Sequence, residues 1–134
     1  EFESAFARYV GAEHALATSS CTAALHLAMV VTEVGPGDEV ITTPMTFAAT
    51  ANCVRYQAGT VVFADVQPDT LNLDERTLND RITSRTRAIV LVHYAGVACE
   101  LDEIMAIAAR HDIAVIEDNA HGLNERIPRE YVGA

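Results

Sequence analysis

The chain has 134 residues, 50% of them hydrophobic, which is enough for one domain with a real core and too few for two. Its net charge of -10, with no visible basic patch, argues against nucleic acid and anionic membrane as partners. All nine basic residues are arginine, so chemistry that needs a primary amine as nucleophile has no donor in these 134 residues.

In chain order, Phe2, Phe6 and Val10 make one apolar stripe and Gly11 follows, so residues 1–10 read as a helix end stopped by glycine. Residues 15–18 are a short strand candidate. Ser19-Ser20-Cys21-Thr22 offers hydroxyls to cap a helix running to about residue 33. Leu25, Leu27, Ala28, Met29, Val30 and Val31 leave that helix little polar surface, and burial on most faces is expected. Gly35-Pro36-Gly37-Asp38 ends it in a loop. Residues 39–42 are the next strand. Thr46 opens a helix in which Phe47, Ala51, Val54 and Ala58 share a side, and Gly59 closes it; helical spacing alone makes Phe47 a core residue.

Residues 60–64 form an apolar strand, and residues 65–73 connect through a turn at Pro68-Asp69. Asp74 can cap a short helix whose Leu78 and Ile82 share a face. A continuous apolar strand spans 88–92. A helix over 101–111 places Leu101, Ile104, Met105 and Ala108 at helical spacing, and residues 114–117 form the last strand. Residues 121–134 show no convincing periodicity. Apolar strands alternating with helices indicate an α/β domain, a parallel-rich sheet with helices on both faces. No repeat, low-complexity tract or linker divides the chain, so residues 1–134 are taken as a single domain.

In such a sheet, the loops after the strand C-termini line the functional edge. They bring Ser19, Ser20, Cys21 and Thr22 at a helix N-terminus, where free N–H groups favour a phosphate or serve only as caps. They also bring Thr46 and Phe47, the latter able to cover a flat ring, then His93 and Gly96, and finally Asp118 and His121. Asp118 at a buried strand end is costly to ionise unless it meets a cation, such as the protonated ring nitrogen of a cofactor; His121 can then donate to a neighbouring ring oxygen. The plainer reading makes Asp118 a loop cap and His121 a partner of the backbone. Glycine-rich dinucleotide and Walker A patterns are missing. A thiol nucleophile at Cys21, with His121 and Asp118 as its base, is a further arrangement. Cys21, Cys53 and Cys99 are odd in number and far apart, and the histidines are scattered, so neither disulfides nor a metal site is expected. A reducing cytoplasm fits. No apolar run is long enough to span a membrane, and no signal peptide is evident. The chain opens on Glu1, so either its start was processed or it begins inside a longer protein.

Five blocks, in order, carry a resemblance: residues 2–11; Ser19-Ser20-Cys21-Thr22-Ala23-Ala24-Leu25-His26-Leu27-Ala28; Gly35-Pro36-Gly37-Asp38-Glu39-Val40-Ile41; Thr46-Phe47-Ala48-Ala49-Thr50-Ala51-Asn52; and Glu117-Asp118-Asn119-Ala120-His121. Together they resemble the pyridoxal-phosphate (PLP)-dependent nucleotide-sugar aminotransferases, the DegT-like family of fold type I, almost end to end. The resemblance implies the front part of a PLP-binding large domain, with the small C-terminal domain absent. It implies Cys21 and Thr22 at the cofactor phosphate, Phe47 stacked on the pyridine ring, Asp118 on the ring nitrogen and His121 beside the ring hydroxyl. Asn119 departs from the small residue usual there.

The family's Schiff-base lysine falls shortly after the point where Val132-Gly133-Ala134 ends the sequence. It holds the cofactor and moves the substrate proton. The resemblance therefore implies a chain that is catalytically inert alone, binds PLP weakly and non-covalently at most, and belongs to an enzyme acting on nucleotide-linked keto-sugars. Homo-oligomerisation is expected. Two alternatives stand beside it: a non-catalytic module reusing the phosphate pocket or an open sheet edge, and a sugar dehydratase relative with histidine at the lysine position.

Overall fold

A computed structural model describes residues 1–122; the expectations for residues 123–134 lie outside the described residues. The elements are α1 (Phe2–Val10), α2 (Cys21–Val31), β1 (Glu39–Thr42), α3 (Ala48–Tyr56), β2 (Thr60–Phe63), α4 (Leu78–Arg81), β3 (Thr86–Val92), α5 (Leu101–His111) and β4 (Ala114–Asp118). Short 3-10 turns at Glu75–Thr77 and Tyr94–Gly96 complete them. The four strands form one parallel sheet in the order β2-β1-β3-β4, as the alternation of apolar strands and helices requires.

Helices cover both faces, and the strands divide their side chains between two cores. Ile41, Ile89 and Leu91 meet Leu101, Ile104 and Ala108 of α5 on one side. Val40, Ala88 and Val90 meet Leu25 and Met29 of α2 and Cys53 and Val54 of α3 on the other. The inner strand β3 is buried from Ala88 to Val92. Its continuous apolar run is thus explained by packing on both faces.

Local signals set the helix ends. Gly11, at φ 78°, ends α1 in the left-handed conformation. The Ser20 hydroxyl caps α2 by accepting from the Ala23 N–H at 3.1 Å. The Asp74 carboxylate accepts from the Arg76 N–H at the turn before α4. Gly59 is fixed by packing, because a Cβ there would lie 2.9 Å from Val34 and 3.0 Å from Val54.

Four expectations are corrected. Residues 15–18 are not a strand: they run beside α1, where the Ala17 N–H donates to the Glu3 carboxylate at 2.8 Å, and no strand among the described residues pairs with them. Helix α2 buries only Leu25 and Met29, leaving Leu27, Val30 and Val31 exposed at 45%, 50% and 80%. The reason is that only one face of α2 meets the sheet and α3. Helix α3 is rotated from the expected face and buries Ala49, Thr50, Cys53 and Val54, so Phe47, at its N-terminal boundary, is 78% exposed rather than core. In α5 the buried set includes Ile107, and Met105 is exposed. No helix among the described residues is long and apolar enough to cross a membrane.

Candidate functional site

The C-terminal ends of β1, β3 and β4 open on one edge, and Asp118 closes β4 there with 5% exposure. Among the described residues, three donors reach its carboxylate. The Thr50 hydroxyl donates to Oδ2 at 2.8 Å, the Cys21 thiol to Oδ1 at 3.5 Å and the Ala120 N–H to Oδ1 at 3.3 Å. All are neutral, and no ion pair joins Asp118 to any described residue. A buried carboxylate with hydrogen bonds but no cation is an anionic site only partly compensated.

Thr50 extends the network. Its hydroxyl has one proton, which points to Asp118, so the 2.7 Å contact between Thr46 Oγ1 and Thr50 Oγ1 is a donation from Thr46. The sequence of donors thus runs from the loop before α3, through the helix, to the strand end. Phe47 follows Thr46 in the chain, and its carbonyl accepts from the Thr50 N–H at 3.1 Å. Phe47 thus caps the helix that carries Thr50, and its side chain is exposed.

Cys21 opens α2, and its sulfur is turned to Asp118 instead of being left to an anion at the helix end. Burial, then the charge of Asp118 and its hydrogen bond, pushes the thiol pKa up to about 11. The thiolate is disfavoured, and the donated proton goes to Asp118 rather than to an imidazole, so the arrangement does not make Cys21 a nucleophile. What Cys21 and Thr22 present to an anion is the start of α2: the Ser20 cap is committed to the Ala23 N–H, and the N–H groups of Cys21 and Thr22 have no partner among the described residues.

His121 follows Asp118 by three residues. Its Nδ1 accepts from the Ala95 N–H at 3.2 Å, and its ring meets the Tyr94 ring edge-on at 6.0 Å. His93, another residue of this edge, is fully buried below it. Its Nδ1 accepts from the Cys99 N–H at 3.1 Å, so Nε2 carries the proton and donates to Glu117 at 2.8 Å. Gly96 is buried in the turn beyond. Gly122 follows, and a Cβ there would lie 1.8 Å from Asn119 Oδ1, so the Asn119 side chain occupies the space that only glycine leaves open.

The structure therefore gathers Cys21 and Asp118, 97 residues apart in sequence, and sets Phe47 and His121 on flanking loops. Sequence reasoning missed Thr50, Glu117 and Asn72. For Thr50 the signal was available: a hydroxyl four residues after Thr46, on the buried side of a short helix. For Asn72 no local pattern marks the role.

The family model described as DegT/DnrJ/EryC1/StrS aminotransferase family matches residues 1–134. The chain belongs to this aminotransferase family. Among curated relatives, GDP-perosamine synthase of Caulobacter vibrioides is 49% identical over 123 residues, covering 92% of this chain and 33% of that protein. Among solved structures, 3-amino-5-hydroxybenzoic acid synthase superposes with a TM-score of 0.94 at 37% identity, over 98% of this chain and 34% of that one. NtdA from Bacillus subtilis, solved with bound cofactor PMP, gives 0.89 at 34% identity, over 91% of this chain and 28% of that one. The DegT family is PLP-dependent, and the four-stranded parallel sheet is shared with its solved members. The chain spans about a third of the length of the curated relatives it matches.

Proposed function

We propose that this chain supplies the ring-nitrogen side of a PLP site in an enzyme that transfers an amino group to a nucleotide-linked keto-sugar. The observation that carries the reading is the Asp118 carboxylate, buried at the end of β4 among three neutral donors and without a described cation. A protonated pyridine nitrogen is both a cation and a hydrogen-bond donor, the one kind of partner that this donor set lacks. When bound, the cofactor supplies the electron sink on which amino transfer depends.

Each residue then has a task. Asp118 holds the ring nitrogen in its protonated form, and Thr50 and Cys21 hold the carboxylate. Phe47 covers the ring face with an aromatic surface that the protein core does not use. The start of α2 at Cys21 and Thr22 receives the phosphate through its free N–H groups and the helix dipole. His121 donates beside the ring hydroxyl. The Schiff-base lysine has no counterpart among these 134 residues, so alone they hold the cofactor weakly and without a covalent bond, and turn nothing over.

Pyridoxamine phosphate (PMP) tests the reading because its amine needs no lysine. The chain is expected to bind PMP weakly, and Asp118→Asn to lose about tenfold or more of that affinity, on the order of a charge-assisted hydrogen bond of 1.5–3 kcal/mol. Equal affinity in the two proteins would overturn the assignment of Asp118. Amino transfer to a keto-sugar nucleotide by the purified chain with PLP would overturn its inertness.

We also propose that the protein is cytoplasmic and self-associates. Leu27, Val30 and Val31 leave an apolar face on α2 exposed, and the outer strands β2 and β4 each have an open edge among the described residues. A species of dimer mass or larger is expected in light scattering; a monomer at high concentration would count against self-association.

A further inference from the structure

We infer that the loop at residues 93–99 is a positioning device that fixes His121 in one tautomer, with the proton on Nε2, and that Asn72 is its anchor. The loop's conformation is an unusual one. The Val97 N–H donates to the Tyr94 carbonyl at 3.0 Å across two consecutive left-handed residues, Ala95 at φ 53° and Gly96 at φ 85°. Both central residues of such a turn need positive φ, and alanine adopts it at a cost of about 1–2 kcal/mol. Something must hold Ala95 there.

Asn72 does so from outside the loop. It is 2% exposed, and its side-chain amide is spent entirely on these residues. Oδ1 accepts from the Tyr94 N–H at 2.9 Å, and Nδ2 donates to the carbonyls of Val97 and Ala98, each at 2.9 Å. From below, buried His93 ties the ends of the loop: its Nδ1 accepts from the Cys99 N–H while its Nε2 donates to Glu117, the residue before Asp118. The His93 N–H meets the Asp118 carbonyl at 3.4 Å. On the loop these contacts fall on His93, Tyr94, Val97, Ala98 and Cys99, around Ala95, and they leave the Ala95 N–H to another partner.

That N–H donates to His121 Nδ1 at 3.2 Å. A ring nitrogen that accepts carries no proton, so the proton of the neutral ring sits on Nε2, and His121 offers a donor on its outer side. A loop built only to cap β3 has no need of a strained alanine, whereas one built to aim an N–H at an imidazole does. The assignment rests on the cofactor reading only for what the Nε2–H meets, an acceptor oxygen beside the ring; the tautomer and its cause belong to this chain alone. Asn72 is accordingly a positioning residue that acts on His121 through the Ala95 amide.

The experiment is nitrogen NMR on the full 15N-labelled chain at a pH where the ring is neutral. Wild type is expected to show a scalar coupling between the Ala95 amide nitrogen and His121 Nδ1, with a proton on His121 Nε2 and none on Nδ1. Asn72→Ala is expected to lose the coupling and to give a mixed tautomer, and adding Ala95→Gly to restore both in part, because glycine enters the turn without strain. If Asn72→Ala fails to fold, the wild type and Ala95→Gly alone decide, both retaining the coupling. A proton on Nδ1 in the wild type, or a signature unchanged in folded Asn72→Ala, would overturn the inference. PMP affinity measured on the same variants separates the two readings: the NMR result stands or falls without it, and a loss of severalfold in Asn72→Ala is expected if PMP occupies the site.

Discussion

Two carboxylates lie equally deep at opposite ends of the sheet. Glu39 opens β1 at 6% exposure and Asp118 closes β4 at 5%. Glu39 accepts from the Thr83 hydroxyl and pairs with the Arg85 guanidinium, and beside it Arg87 lies 3.7 Å from Asp38. Asp118 accepts from a hydroxyl, a thiol and an amide, with no cation among the described residues. Where the fold alone needs a buried acid, it provides the counter-charge. Where the described residues provide only neutral donors, the proposed function leaves the counter-charge to a ligand, and on that proposal the difference separates a structural acid from a binding one.

Exchange of function between the two ends is the strongest way to break that comparison. Asp118→Asn is expected to lose about tenfold or more of PMP affinity while its urea midpoint stays close to that of wild type. Glu39→Gln should do the reverse, lowering the midpoint with PMP affinity unchanged. If Glu39→Gln weakened PMP as much as Asp118→Asn, the two ends would not differ in kind. Next in size, Arg85→Ala strands Glu39 without its cation and should lower the urea midpoint more than Arg87→Ala, whose pair is longer and more exposed.

Acid sharpens the same contrast. The Thr83 hydroxyl, then Arg85, holds the Glu39 carboxyl below its ordinary value of 4.5, and hydrogen bonds from Arg76 hold Asp74 below 3.8. Folded values below the unfolded ones mean stability that is present above the ordinary values and lost as pH falls through the folded ones. Denaturant midpoints should therefore fall as the pH drops below about 4, and Glu39→Gln should flatten part of that fall.

Much of this was legible in the sequence, and the failures have a common cause. The strand that delivers Asp118, the cap at Ser20, the stop at Gly11 and the helix over Leu101–His111 are local events, written in periodicity and in single residues of known preference. Residues 15–18 have strand-like composition, but a strand exists only if another pairs with it, and composition does not report pairing. Helix α2 has an apolar character on most faces, yet it finds only one packing surface among the described residues. Phe47 fits a helical stripe by count, but the helix begins at Ala48 rather than at Thr46, which leaves Phe47 exposed at its N-cap. Cys21, Thr50 and Asp118 come from three separate elements, so their meeting is a property of topology. Asp118 and Cys21 could be placed on one edge, as a nucleophile and part of its base, whereas the thiol's donation to the acid could not be read.

A further expected effect concerns that thiol. With its pKa at about 11 and an ordinary value of 9.0, Cys21 is expected to react with iodoacetamide at pH 8 roughly ten times slower or more than in the unfolded chain, despite its exposure. Asp118→Asn should raise the rate, read by mass spectrometry at that residue. A fast Cys21 in the wild type would show that the acid does not hold it.

The central claim is that Asp118 has no cation among the described residues because a ring nitrogen supplies it. The most direct measurement is a double cycle: wild type and Asp118→Asn, each titrated by NMR with PMP and with the analogue in which a carbon replaces the ring nitrogen. The wild type is predicted to prefer PMP by about tenfold or more, and Asp118→Asn to bind the two alike. Equal binding of both ligands by the wild type would contradict the account.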